Sequence, residues 1–466
     1  MASQSLRPDG LGRVRMHCDP YLTGRFTRSP LAPLLAAVAE LPTVSAVEVF
    51  PDVTAKSYGL PSGVVIETRG SNPLVLPAAV PDIACGFLVI ATGILPNRWP
   101  RQKARQAWAR VVSAIGVTSP TRRVPAVDID HILTEGETAL AAPRHYLDPN
   151  PSEQPRAAGD PSLLPREVRR ALNDHIGSVT GHFVSAYTAH PSTAEETGLH
   201  DGELVLVVHT GAPVLQAWAY EALHAPMAER CMDTGLVPPD LVAQHAFGLS
   251  LDDPLAQDWL NAATSAVLYG HANRRLVADT ILDILNAHDP LRAGTARLLR
   301  HTGHGWHHQT LRADLGPTAG DGETVVRSGR GIQHLPPART GEQPRLTFVT
   351  GGAATHAYLF QPGPHADRTC HRIGHGTPMW THHPPLAHLR DQPETQTISE
   401  VARTVQPAAE QAITNTTHNP DAWLRDLANL ELVAVSLETT GLARRAALLQ
   451  PWANYLEPKP HARTPR

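Results

Sequence analysis

The sequence predicts an α+β fold in one large domain, and three observations point there. Short apolar runs broken by Gly and Pro read as strands of a mixed sheet. Longer stretches with apolar residues three and four positions apart read as amphipathic helices. The two kinds succeed one another irregularly, with no internal repeat, heptad array or low-complexity tract, and no clean linker divides the chain. At roughly 150 residues per domain, 466 residues are enough for three units. The lack of a compositional break argues for one intertwined domain over residues 1–466 instead.

Taken in order, Ser29-Pro30 opens a helix through LAPLLAAVAEL, with a capping hydroxyl followed by a proline that loses no amide partner there. Val47 to Phe50, Gly63 to Glu67 and Gly86 to Ala91 are the first strand-like runs. From Arg101 to Ile115 the residues Ala104, Ala107, Trp108, Val111 and Ile115 fall on one helical stripe. Residues 142–166 are Pro-rich and polar without periodicity, which predicts a long surface insertion. A helix is expected at about Arg166–Asp174, then a buried strand from Glu203 to His209. The longest helix should run from Asp258 to Ala287, where Val277, Ile281 and Ile284 keep one face. Residues 315–345 and 361–395 are expected to be loop-rich. A helix at Asp421–Leu430, a strand at Leu432–Leu437 and the run LARRAALL complete the chain.

Composition narrows the function. With 42% hydrophobic and 18% charged residues the chain is globular, which excludes collagen-like and disordered classes. Its 40 Lys and Arg balance 44 Asp and Glu, so a polyanionic partner must be met by a local patch or by bound metal. Arg98, Arg101 and Arg105, with Trp99 beside them, either track a phosphate backbone or form a solvated helix face. Four cysteines without a C-x-x-C pair provide no disulfide framework. No apolar leader opens the sequence and no apolar run approaches 18 residues, so a soluble cytoplasmic protein is expected.

The segment PDIACGF, Pro81 to Phe87, places a carboxylate and a thiol three residues apart just before an apolar strand. It reads either as a turn aspartate followed by an ordinary buried cysteine, or as two ligands for a borderline divalent cation. Histidines stand where elements end: His182 after a Gly/Ser/Thr turn, His209 closing ELVLVVH, His304, His307 and His308 in HTGHGWHHQT, and His371 and His375 in CHRIGHGTPM. Imidazoles at such ends can converge on a metal from separate elements, although each can equally be a surface or core residue. The G-x-x-x-x-G-K-[ST], H-E-x-x-H and G-x-S-x-G patterns are absent. A nucleophilic-serine hydrolase therefore has no anchor.

In collinear order over about residues 46–457, FPDVTAKSYGLPSG, VLPAAVPDIACG, GHF, LVLVVHTG, a long helix, WHHQTL, GGAATHAY, RIGHG and GLARRAALLQPWANYLEP resemble the RtcB family of RNA ligases. The resemblance implies a mixed α+β domain with sheets surrounding a two-manganese centre. It also implies joining of an RNA 3'-phosphate or 2',3'-cyclic phosphate to a 5'-hydroxyl, with GTP consumed through a guanylyl-histidine intermediate. Carried over position by position, the metal ligands are Asp82, Cys85, His182, His209 and His308, with His307 the neighbouring alternative. His375 is the residue that takes the guanylyl group. The nucleotide-binding positions are Gly181, Gly351, Gly352, Thr355, Tyr358 and Gly376. Expected partners are RNA ends and an activator of the archease type.

Several positions depart from the family pattern. Pro-Asp-Val-His becomes Pro51-Asp52-Val53-Thr54; Gly181 and Ser185 replace an Asn and a Glu around His182; and Thr210 to Pro213 replaces Ser-Gly-Ser-Arg. HGTPM lacks the Arg after the nucleophile, and Leu456 stands where a Lys is expected. These changes touch the nucleotide shell more than the metal shell. They imply two alternatives to a ligase, a metal-dependent phosphodiesterase or phosphatase and an inactive RNA-end-binding relative.

Overall fold

The computed structural model describes residues 12–56, 59–77, 83–120, 122, 125–140, 144–148, 159–179, 181–290, 294–311, 324–334, 346–352, 355–369, 372–374, 402–403, 405–414 and 420–457. Helices and strands are mixed throughout. A seven-stranded antiparallel sheet runs in the order Thr347–Thr350, Ala357–Pro362, Ala443–Leu456, Phe183–Pro191, Leu204–Thr210, Gly86–Ala91 and Arg297–Gly303. A five-stranded sheet holds Val14–Met16, Val44–Thr54, Ser62–Gly70, Thr324–Arg330 and Gly305–Leu311, its first pair parallel. Strands from distant parts of the chain alternate within each sheet. His304 is the single residue between the last strand of one sheet and the last of the other.

The Gly86–Ala91 strand explains why the larger sheet sits inside the molecule. Its run GFLVIA is buried on both faces, as an uninterrupted apolar run requires. Leu88 and Ile90 join a layer with Trp108, Val111, Val277 and Ile281. Phe87, Val89 and Ala91 join another with Phe348 and Leu359. Each such side chain contributes about 1.5–3 kcal/mol by leaving water.

The long helix Pro254–His288 begins with Asp253, whose carboxylate accepts from the Leu255 amide at 3.0 Å, and with proline at the first helical position. It extends the expected Asp258–Ala287 by about a turn at its start. Every residue from Ser265 to Arg275 is buried, including His271, Asn273, Arg274 and Arg275. A stripe rule anticipates no such polar interior. These groups face the ends of the sheet strands, where the site described below is built.

The helix Arg101–Ile115 has the boundaries expected of it and buries the five residues of the expected stripe. One expectation is corrected and two are refined. Leu432–Leu437 is not a strand but part of the helix Pro420–Thr439. Leu430, Val433, Ala434 and Leu437 form its buried face, a helical spacing hidden inside an apolar run short enough to pass for a strand. The 315–345 stretch is not uniformly loop: Thr324–Arg330 pairs with Ser62–Gly70, and Ile332–His334 pairs with Arg372–Gly374. Strand Arg372–Gly374 likewise interrupts the second expected loop. Pairing with strands far away in sequence, not local composition, makes these segments extended.

Within 142–166 the described ends are anchored, since Tyr146 and Leu164 are buried and the Leu147 amide donates to Ala296 O at 2.8 Å. Residues 149–158 lie outside the described residues. Among the described residues no helix is long and apolar enough to cross a membrane.

Candidate metal centre

Four segments deliver donors to one place at the edge between the two sheets. Cys85 ends a turn just before the Gly86–Ala91 strand, after Ala84, whose φ of 68° is a strained backbone for a residue with a Cβ. His182 immediately precedes Phe183–Pro191, and His209 is the penultimate residue of Leu204–Thr210. Pairing of Phe87 with His209 and of Phe183 with His209 sets these elements side by side. His304 occupies the hinge between the sheets, and its amide donates to Cys85 O at 2.8 Å.

The resulting distances are those of ligands poised around cations. Cys85 Sγ lies 3.0 Å from His182 Nε2, and His209 Nε2 lies 3.1 Å from His304 Nε2. The ligand atoms of Cys85, His182 and His209 all fall within 4.8 Å of one another. Cys85 and His304 are buried, while His182 and His209 are half-buried, which leaves an approach from solvent. A thiol and three imidazoles fit a borderline divalent cation better than a hard one such as Mg²⁺. Gln216 Nε2 holds the Ile83 carbonyl at 2.9 Å and reaches Cys85 Sγ at 3.5 Å. Gly211 is needed beside it, because a Cβ there would stand 2.9 Å from the sulfur.

Aromatic rings fix the imidazoles. The Phe87 ring centroid is 4.6 Å from that of His209 and 5.3 Å from that of His304, and Phe183 meets His209 at 4.7 Å. Phe87 also packs on Phe348 at 5.0 Å, which ties the strand leading to Gly351 to the same cluster.

The expected positions fare differently. Cys85, His182 and His209 come together. His308 lies in strand Gly305–Leu311, opposite Arg327, and its side chain is outside the described residues. Asp82, His375 and Gly376 are also outside them; the strand Arg372–Gly374 leads directly to His375. Gly181 has a φ of 67° and open space where a Cβ would be. Thr355 Oγ1 donates to Gly352 O at 3.1 Å.

Tyr358 is buried, and its hydroxyl donates to Glu431 at 2.6 Å. Burial and the adjacent Glu431 carboxylate push its phenol above the usual range. His356 at 3.1 Å and Arg445 at 2.9 Å also hold Glu431, and their contacts keep that carboxyl below its ordinary value despite burial. Leu456, exposed, pairs in register with Phe183, and the Glu457 amide donates to His182 O at 2.9 Å. Arg98, Arg101 and Arg105 are exposed, but Trp99 is buried with Nε1 on Asp289 at 3.2 Å, so no ring is offered there for base stacking.

Sequence reasoning placed His304 among the candidate histidines without assigning it as a ligand. The signal was the Gly303-His304-Gly305 step, where one strand has to end and the next begin.

The family model described as tRNA-splicing ligase RtcB matches residues 34–454 of the chain. A tRNA-splicing ligase RtcB of Aeropyrum pernix is 20% identical to it over 484 aligned positions, covering 97% of this chain and 96% of that protein.

Proposed function

The chain belongs to the RtcB family, and on that premise we propose that it is an RNA ligase joining a 3'-phosphate or 2',3'-cyclic phosphate end to a 5'-hydroxyl end. The observation that carries the reading is the convergence of Cys85, His182 and His209, with His304 set against His209, from four separate segments. These residues would hold two divalent cations, Mn²⁺ in this reading, with Asp82 completing the set from the segment before Ala84. When bound, the cations supply charge neutralisation and polarisation at phosphorus.

The chain's own residues do the rest. His304 takes the role expected of His308, since it already faces His209. His375, carried by the segment after Arg372–Gly374, attacks the α-phosphorus of GTP, and pyrophosphate leaves with the electron pair of the broken P–O bond. A 2',3'-cyclic end is first opened by water, which breaks the P–O2' bond and leaves a 3'-phosphate. The guanylyl group then passes from His375 to an oxygen of the RNA 3'-phosphate. The 5'-hydroxyl then attacks that phosphorus and GMP departs. RNA ends are the substrate, and an archease-type activator is a candidate partner.

Purified protein supplied with Mn²⁺, GTP and RNA carrying these ends should yield a joined product. Labelled GTP should leave an acid-labile adduct that His375→Ala removes, and Cys85→Ala should abolish joining. Absence of both product and adduct in the wild-type protein would overturn the ligase reading.

Two observations favour a second reading. Tyr358 spends its hydroxyl on Glu431, and Leu456 presents an apolar side chain beside Phe183. With those two nucleotide contacts gone, a metal-dependent phosphodiesterase acting on 2',3'-cyclic phosphate ends would keep the cation shell without nucleotide transfer. Hydrolysed ends without joining, whether or not GTP is present, would select it.

A further inference from the structure

Behind the donor cluster the long helix Pro254–His288 presents a second group of polar side chains that the reaction does not use. Arg274 is fully buried. Its Nη1 donates to two carbonyls at once, Ala84 O at 2.8 Å and Thr210 O at 2.8 Å. Ala84 precedes Cys85 and Thr210 follows His209, so one nitrogen spans both ligand-bearing segments. Asn273, the residue before, extends the clamp. It accepts from the Gly177 amide at 2.7 Å, donates to Ser178 O at 3.1 Å and reaches Thr210 Oγ1 at 3.4 Å. The segment that runs on to His182 is thereby held to the same platform. Gly270 lets the helix come close enough, because a Cβ there would stand 2.7 Å from Ala84 O.

The guanidinium is itself held from behind. Arg274 Nε donates to His301 Nε2 at 3.2 Å. That bond fixes the tautomer, with the ring proton on Nδ1, which faces Glu137 Oε2 at 3.7 Å. Glu137 is in turn paired with Arg144 at 3.2 Å. Glu137, His271 and His301 are close enough to suggest a cation site. With its Nε2 accepting from Arg274 and its Nδ1 protonated, however, His301 has no lone pair left for a cation. Arg144 and Arg274 also surround the group with positive charge. The cluster is a support for Arg274.

We propose that Arg274 is a positioning residue for the metal centre: its two carbonyl bonds set the spacing between Cys85 and His209, and the His301–Glu137 pair locks its orientation. This rests on reading Cys85, His182, His209 and His304 as metal ligands. A ligand displaced by even an ångström coordinates poorly, so the effect belongs in cation affinity and spectrum.

The test is titration of the full-length protein with Co²⁺ alone, following the near-ultraviolet cobalt–thiolate band and the visible ligand-field bands. Wild-type protein should show the thiolate band and Cys85→Ser should lose it; a wild-type protein without that band would refute the ligand reading itself. Arg274→Gln, whose side chain is too short to bring its amide nitrogen to the two carbonyls, should bind Co²⁺ at least about tenfold more weakly with a shifted spectrum. Arg274→Lys, able to reach one carbonyl, should recover part of the affinity.

Truncating a buried guanidinium risks unfolding, so Glu137→Gln serves as the second variant, since it leaves Arg274 in place. It should weaken Co²⁺ binding in the same direction by a smaller factor, with the circular dichroism of the cation-free protein unchanged. Wild-type affinity and spectrum in folded Arg274→Gln or in Glu137→Gln would overturn the proposal. So would a tightly bound cation that survives Cys85→Ser and is lost with His271→Ala.

Discussion

At the scale of single residues, the centre depends on donors whose local surroundings differ in how much they disclose. Cys85 and His209 each adjoin an apolar strand that the sequence announces, whereas the strand after His182 is defined by its pairing with Leu204–Thr210. His304 sits in a run of histidines where composition offers several choices. Its selection comes from the chain passing from one sheet to the other at that residue, with its amide on Cys85 O. The two histidines should separate in experiment. His304→Ala is expected to lower divalent-cation affinity by at least about tenfold, while His308→Ala changes it by less than about twofold. Isothermal titration with Mn²⁺ checks this, and the reverse ranking would return the ligand role to His308.

Single elements respond to pH through buried histidines. His224 closes the helical turn Tyr220–His224 and stacks on Tyr220 at 5.0 Å, with His245 at 5.4 Å and Phe247 at 4.8 Å. Burial, reinforced by neighbouring His245, pushes its pKa down to about 4. His17 is likewise pushed down to about 4 by burial and by Arg15 and Arg372.

Well above pH 6.5 both histidines are neutral in either state. As pH falls from 6.5 towards 4 the unfolded chain takes up protons that the folded one refuses. Stability is therefore complete above the unfolded value and declines through that window, by up to about 1.4 kcal/mol per pH unit for each residue. Urea midpoints of wild type and His224→Gln, compared at pH 7.5 and pH 5, should show a smaller decline in the variant. Equal declines would exclude His224 as a source.

The helix Pro420–Thr439 carries the lesson in legibility at this scale. Its apolar run satisfied both a strand and a helix, and docking of Leu430, Val433, Ala434 and Leu437 against Val349, Phe360 and Ile373 decided between them.

For the molecule as a whole, the order of strands matters more than their number. Residues 86–91, 183–191, 204–210, 297–303 and 443–456 share one sheet, so no cut in the chain leaves a complete layer. We propose a single cooperative unit on that ground. Scanning calorimetry should give one endotherm for the cation-free protein. Adding Mn²⁺ at about a hundred times its dissociation constant should stabilise the folded state by roughly 2.7 kcal/mol. Cys85→Ala should remove that increment without splitting the transition. Two separated endotherms in the cation-free protein would instead divide the chain into independent parts.

By itself the sequence determined the mixed helix-and-strand class, the helix Arg101–Ile115, the Gly86–Ala91 strand and the family through its ordered motifs. Each of these follows from periodicity, or from residue type at a fixed spacing, which a linear chain carries in full. Tertiary structure alone decided that His304 meets His209, that Thr324–Arg330 becomes a strand, and that Arg274 lies buried behind Cys85. Those outcomes depend on which distant segments pair and on how a charge can be placed in the interior once carbonyls and an imidazole surround it, and neither is written in local order.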